Sequence, residues 1–175
     1  MTSELEWHGW RMLEGNYQIM IKFTSDKFVY VLPLASEWAE AKEKVVLKNG
    51  DPLSISQIED AKRVGVIYPE RVRIFKVPQI PFPKHPVLKS ATEAIQLITP
   101  STVGLTVRYG IFIHSDFSDD RCLIVHELVH TSQYERLGGF LPFIRKYLLQ
   151  LINIGYPDAP LEQEAIKMAK RICRT

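Results

Sequence analysis

The sequence CLIVHELVHTSQY, residues 122–134, decides the fold that we predict for this chain. It contains the pattern His-Glu-x-x-His, and two histidines four residues apart on a helix lie on one face, one turn above each other. The imidazoles of His126 and His130 can therefore occupy two corners of a zinc tetrahedron. Glu127 lies about 100° round the helix from His126, where it can reach a metal-activated water as a general base.

The apolar composition around this pattern predicts that the helix is buried. Glu127 is the only formally charged residue from Cys122 to Tyr134, and a helix that is apolar nearly all round belongs in a core. A carboxylate and two imidazoles are costly to bury unless something pairs with them, and a dication removes most of that cost. The alternative interpretation is that His126 and His130 are core histidines with ordinary partners and that Glu127 belongs to a structural ion pair.

A zinc site of this type needs a third protein ligand and one open position. No histidine follows His130, and three acidic residues are the downstream candidates: Asp158, Glu162 and Glu164. A helix is predicted to begin near Pro160, because proline suits the first helical position. One carboxylate from the first turn of that helix can point inward, and the residues themselves leave the choice open.

These features together resemble the gluzincin clan of zinc metallopeptidases, and in particular small, uncharacterised bacterial peptidase-like domains of that type. The resemblance is carried by the His-Glu-x-x-His helix, a spacer helix, and Glu-Gln-Glu-Ala at residues 162–165 near the start of a later helix. In that clan the third ligand is the first glutamate of Glu-x-x-Ala or Glu-x-x-x-Asp. The second form fails here, because Ile166 stands where the aspartate would be.

The resemblance implies that Zn²⁺ is the cofactor, bound by His126, His130 and Glu162, with Glu164 as the reserve ligand. It also implies that Glu127 is the catalytic residue. Four further residues are candidates for polarising a substrate carbonyl or for supporting a ligand, although packing is the commoner role for each: Tyr134, Gln133, Tyr156 and His114.

In such peptidases the strand before the active helix forms the edge of a sheet and pairs with an extended substrate, which is strand addition to an exposed edge. Leu105–Ile113 is a strongly predicted strand in that place. Tyr109, Gly110 and Ile111 are therefore the predicted substrate edge. Gly110 inside the strand also indicates a bulge or a close backbone approach.

We expect an α+β, zincin-like fold with a small mixed β-sheet, an active-site helix and a C-terminal ligand-bearing helix. Residues 51–175 are the predicted metallopeptidase domain and residues 1–50 an N-terminal appendage, which the turn sequence at residues 49–52 separates. In the appendage, Tyr17–Phe23 and Phe28–Leu32 are predicted as two strands of a hairpin, followed by a short helix over Leu34–Val46.

Composition narrows the classes of partner. The net charge of +2 gives no reason to expect a nucleic-acid binder. The two cysteines, Cys122 and Cys173, show no metal-type spacing, so we expect reduced thiols, with Cys122 as a small core residue. The N-terminal residues carry no apolar signal-peptide core, which favours a cytoplasmic location. The spacer helix, residues 140–154, is too short to span a membrane, but it is apolar enough to contact a membrane surface or a protein partner.

The predicted function is zinc-dependent hydrolysis of peptide bonds in a peptide or protein substrate. The alternative is a catalytically inactive or latent binding module on the same fold, which contacts a protein partner or a membrane surface. An open groove along residues 105–113 would favour the enzyme. A groove filled by residues 1–50 or by the proline-rich loop at residues 78–86 would favour the alternative.

Overall fold

The computed structural model describes residues 25–174, which form a mixed α+β fold. This confirms the coarse fold class. The described residues contain six α-helices and four β-strands: α1 (Ser25–Asn49), β1 (Asp51–Pro52), α2 (Ile55–Arg63), β2 (Arg73–Val77), α3 (Pro86–Ala94), β3 (Gly104–Val107), β4 (Gly110–His114), α4 (Arg121–Leu137), α5 (Phe140–Asn153) and α6 (Pro160–Cys173).

The sheet is mixed, in the strand order β1-β2-β4-β3. The β2–β4 pair is parallel, whereas the other two pairs are antiparallel. Side chains alternate between the two faces of a strand, and the residues of β4 follow this rule. Ile111 and Ile113 belong to the core that contains α2, α4 and α6, whereas Phe112 belongs to the core that contains α1, α3 and α5.

The predicted strand at Phe28–Leu32 is wrong, because these residues lie inside the long helix α1. Val29 and Tyr30 are exposed while Val31 is buried, which is one-sided burial on a helix. A short continuous apolar run has no periodicity that separates a strand from a helix, and packing decides between them. The helix predicted at Leu34–Val46 lies within α1. The other predicted strand, Tyr17–Phe23, lies outside the described residues.

Helix α1 shares its core with the sheet and with α5. A Cβ atom at Gly110 would lie 2.9 Å from the Cβ of Val46, so the glycine permits the close backbone approach that its position indicated. The buried carboxylate of Glu43 accepts hydrogen bonds from Arg108 Nε at 2.9 Å and from the Tyr109 amide at 3.1 Å. The predicted border at residues 49–52 coincides with the end of α1, and these contacts join α1 to the sheet.

The prediction of one strand over Leu105–Ile113 is also wrong. These residues form the hairpin of β3 and β4, with Arg108 in the left-handed region at the turn (φ 60°). Because β4 pairs with β2 on one side and β3 on the other, Tyr109, Gly110 and Ile111 do not form a sheet edge. Within the described residues, β3 is the edge strand at this side of the sheet.

The expectation of reduced cysteines is wrong as well. Cys122 and Cys173 form a disulfide that joins the start of α4 to the end of α6. The two helices pack against each other in antiparallel order, which brings the two Cα atoms within 5.8 Å, inside the range that a disulfide requires. A separation of 51 residues in the sequence gave no sign of this pairing.

Helix α5 packs against α4 with one face. Five of its apolar residues are buried, whereas Leu141 and Leu149 are 50% and 38% exposed. The aromatic rings of Phe143 and Tyr147 lie beside the imidazole of His130. Between residues 25 and 174, no helix combines the length and the apolar composition needed to cross a bilayer.

Candidate metal centre

Helix α4 places His126, Glu127 and His130 in the interior of the fold. The helix begins where the side chain of Asp120 accepts hydrogen bonds from two backbone amides, and it ends at Gly138, which has the left-handed φ of 92°. The four-residue spacing puts the two imidazoles side by side, with ring centroids 4.8 Å apart. All three residues are buried, and none is more than 8% exposed.

Helix α6 brings Glu162 to the two histidines. Its Oε2 lies 3.4 Å from His126 Nε2, and its Oε1 lies 3.3 Å from His130 Nε2. The two Nε2 atoms are 3.1 Å apart. Ligands at about 2.1 Å from a tetrahedral metal lie about 3.4 Å from one another. The three side chains therefore fit the corners of a metal site, and they form the group of possible ligands found within the described residues.

The other two acidic candidates point elsewhere. Glu164 accepts two hydrogen bonds from the guanidinium of Arg136, each at 2.8 Å, and one from Gln133 Nε2 at 3.1 Å. The side chain of Asp158 is exposed. Of the three carboxylates that the sequence left open, the structure brings only Glu162 into the cluster.

Gln133 determines which nitrogen of His130 faces the cluster. Its Nε2 donates to the Leu161 carbonyl at 2.9 Å, so its Oε1 is the atom that lies 2.8 Å from His130 Nδ1. Because an amide oxygen only accepts, His130 Nδ1 must carry a hydrogen. In the neutral ring this leaves the lone pair on Nε2, directed at Glu162 and His126, which is the arrangement that a metal ligand needs.

Without a metal, the cluster is held together by charge. Burial disfavours a charged imidazole, but Glu162 outweighs this effect and raises the pKa of His130 to about 9. Burial likewise acts to raise the pKa of Glu162, yet His130 and His126 hold it well below its usual range. At neutral pH the metal-free protein therefore contains a proton on His130 in the place that a metal ion would take.

Binding of Zn²⁺ at neutral pH is expected to release about one proton from His130, because the metal needs the unprotonated nitrogen. The apparent affinity should rise with pH up to about 9, the pKa of His130 in the metal-free protein, and level off above it. Calorimetric titration at pH 7 in two buffers of different ionisation enthalpy measures the released proton. An affinity that stays constant between pH 7 and pH 9 would contradict a protonated His130 in the metal-free protein.

Strand β3 holds Glu127 in place. Thr106 Oγ1 donates a hydrogen bond to Glu127 Oε2 at 2.6 Å. The hydroxyl oxygen of Thr106 also lies 3.0 Å from the backbone carbonyl oxygen of Glu127. At Gly104, any Cβ atom would collide with the Glu127 carboxylate, so only glycine leaves room for it. Sequence reasoning missed both residues. Their spacing of two, on the same face of a strand, was the one signal that could have indicated them.

Tyr147 of α5 was also missed. Its hydroxyl donates a hydrogen bond to Glu162 Oε1 at 2.5 Å, and its ring lies edge-on to His130 with centroids 5.9 Å apart. Burial, together with the negative charge of Glu162, raises the pKa of Tyr147 well above its ordinary value, so the hydroxyl keeps its proton. In the sequence, the sign of this residue was a tyrosine within the largely apolar spacer helix.

The other residues that the sequence suggested as supporting groups differ in how close they lie to the candidate metal centre. Burial, together with the nearby charges of Glu162 and Glu127, raises the pKa of Tyr156, so this residue lies close to the centre. Tyr134 stacks on Phe143 with ring centroids 3.7 Å apart, which is a packing role. His114 accepts a hydrogen bond from the Asp116 amide at 3.3 Å in the turn after β4, and it does not belong to the cluster.

Comparison with protein-family models, with curated proteins and with solved structures finds no match to this chain. What supports a function is therefore the chemistry of the centre itself. It combines two imidazoles, a carboxylate on a second helix, and a further carboxylate held by the neighbouring edge strand. Such a set can bind a divalent metal and move a proton beside it.

Proposed function

We propose that this chain is a zinc-dependent peptidase with a zincin-like arrangement, in which β3 is the edge strand, α4 is the active-site helix and α6 carries the third ligand. The observation that carries the proposal is the convergence of His126, His130 and Glu162, with Glu127 next to His126 on the same helix and near enough for its charge to act on His130. Three protein ligands that leave one position open are typical of catalytic zinc sites, whereas structural sites use four.

The donor set favours zinc among the common divalent ions. Mg²⁺ and Ca²⁺ prefer sites built entirely from oxygen, whereas two imidazoles suit Zn²⁺ and neighbouring transition metals. The spacings of 3.1–3.4 Å between the donor atoms suit tetrahedral geometry. Gln133 already holds one imidazole in the orientation that a ligand needs.

The residues of the chain then have defined roles. When bound, zinc would supply Lewis acidity, which polarises a carbonyl and lowers the pKa of water. Thr106 binds Glu127 Oε2 and leaves Oε1 without a hydrogen-bond partner in the described part of the chain, so Oε1 is the oxygen that accepts the proton of the attacking water. Glu127 then returns that proton to the leaving amine, which is general acid–base catalysis by one carboxylate.

Burial of the centre supports a second candidate function, a latent or non-catalytic binding module. His126, Glu127, His130 and Glu162 are 8%, 5%, 7% and 2% exposed, which leaves little room for a substrate in this conformation. Two surface depressions lie at residues 79–84 and between α2 and α4, and neither is lined by a residue of the centre. In this alternative the exposed residues Leu141 and Leu149 of α5 are the candidate contact with a protein or a membrane surface.

Metal analysis followed by a hydrolysis screen separates the two proposals. The full chain, prepared with zinc and without chelator, is expected to contain about one zinc ion, and it should cleave members of a broad peptide library. The matched control is the same preparation after chelation, which should lose cleavage and regain it when zinc is added back. Zinc without any cleavage would favour the binding module, and absence of zinc would contradict both proposals.

A further inference from the structure

The two oxygens of Glu162 have different surroundings. Oε1 lies 3.3 Å from His130 Nε2 and also receives the hydrogen bond of Tyr147, at 2.5 Å. Oε2 faces His126, and in the described residues no hydroxyl or amide donates to it. A carboxylate can bind a metal through one oxygen or through both, so this asymmetry decides how many coordination positions Glu162 can fill.

Tyr147 is held rigidly in its position. Its ring stacks on Phe143, with centroids 5.5 Å apart, and lies edge-on to His130. Burial and the charge of Glu162 raise the pKa of Tyr147, which keeps the hydroxyl protonated as a donor. Tyr147 is partly buried, and a phenol hydroxyl in such a place usually has a hydrogen-bond partner, which here is Glu162.

We propose that Tyr147 is a positioning residue that restricts Glu162 to binding the metal through Oε2 alone, and thereby keeps the fourth coordination position open. The inference rests on the proposed metal centre and not on hydrolysis. A carboxylate whose second oxygen already accepts a strong hydrogen bond is a weaker donor through that oxygen. Without the hydroxyl, Oε1, which already lies 3.3 Å from His130 Nε2, would be free to bind a metal as a second oxygen donor.

The test is the substitution Tyr147→Phe, which removes one hydroxyl and leaves the stacked ring. Tyr134→Phe is the matched control, because Tyr134 stacks on the same Phe143 but does not contact Glu162. The probe is Co²⁺, whose visible absorption is intense in four-coordinate sites and weaker in five-coordinate ones. Zinc affinity is measured in parallel by competition with a chromophoric chelator.

The wild type and Tyr134→Phe are expected to give the intense four-coordinate spectrum. Tyr147→Phe should give the weaker five-coordinate spectrum and bind zinc about 10- to 100-fold less tightly, the usual effect of removing a partner of a metal ligand. An unchanged cobalt spectrum in Tyr147→Phe overturns the proposal, whatever the affinity. A wild type that binds metal but cleaves no peptide contradicts the proposed peptidase function, and the comparison of the cobalt spectra can still be interpreted. A wild type that binds neither ion overturns both proposals.

Discussion

Glu127→Gln is expected to keep the metal and to lose hydrolysis by at least ~10²-fold in kcat, the usual contribution of a general base. The amide has the size of the carboxylate but cannot accept the proton of the attacking water. Thr106 can still bond to the side-chain oxygen of the amide, so the geometry of β3 and α4 should persist. The measurements are the zinc content and the rate of peptide cleavage for the wild type and the variant.

Glu135→Gln is the matched control for this prediction. Glu135 lies on the same helix, but its carboxylate binds the amides of Ile67 and Tyr68 at 2.7 and 3.1 Å, away from the metal centre. This variant should keep both zinc and activity. Loss of zinc in Glu127→Gln would instead make Glu127 a ligand, and the mechanism proposed above would be wrong.

The experiment has to use the full chain. Deletion of residues 1–50 is an obvious way to ask whether the N-terminal segment blocks the centre. In the structure, however, Val46 of α1 is fully buried and Glu43 pairs with Arg108. Removing α1 would expose the apolar core that Val46 helps to cover and would leave Arg108 without its partner, which destabilises the fold. A loss of activity in such a truncation would therefore report unfolding.

Glu162→Ala is expected to weaken zinc binding by more than ~10²-fold, because a direct ligand contributes more than the outer partners whose removal costs that much. Glu164→Ala should change the affinity by less than ~10-fold. Glu164 is two residues away, yet its carboxylate binds Arg136 and Gln133 and does not face the histidines. Zinc affinities of both variants, measured by chelator competition, test this difference.

Stability measurements on the metal-free proteins provide the control. Glu164→Ala removes a largely exposed ion pair, so its cost should not exceed ~1 kcal/mol. Glu162→Ala leaves His130 without the negative charge that raises its pKa. If the alanine variant does not fold, Glu162→Gln, which has a side chain of the same size, takes its place in the affinity measurement. The reverse order of zinc affinities would place the ligand at Glu164 and contradict the Glu-x-x-Ala assignment.

Local spacing is what the sequence could determine about this protein. The separation of His126 and His130 by four residues fixes their relative position on any α-helix, whatever the rest of the fold does. The apolar residues around them indicated burial, which the structure has. The choice of Glu162 came from resemblance to a motif, and its position opposite the histidines agrees with that choice.

Only the tertiary structure decided which distant residues complete the centre. Thr106 and Gly104 reach Glu127 from β3, Tyr147 reaches Glu162 from α5, and Gln133 orients His130 while it also bonds to α6. The disulfide and the helical state of Phe28–Leu32 were decided in the same way. Each of these features depends on how separate elements pack, and packing energy involves residues far apart in the chain, whereas helix geometry repeats every 3.6 residues and can be read locally.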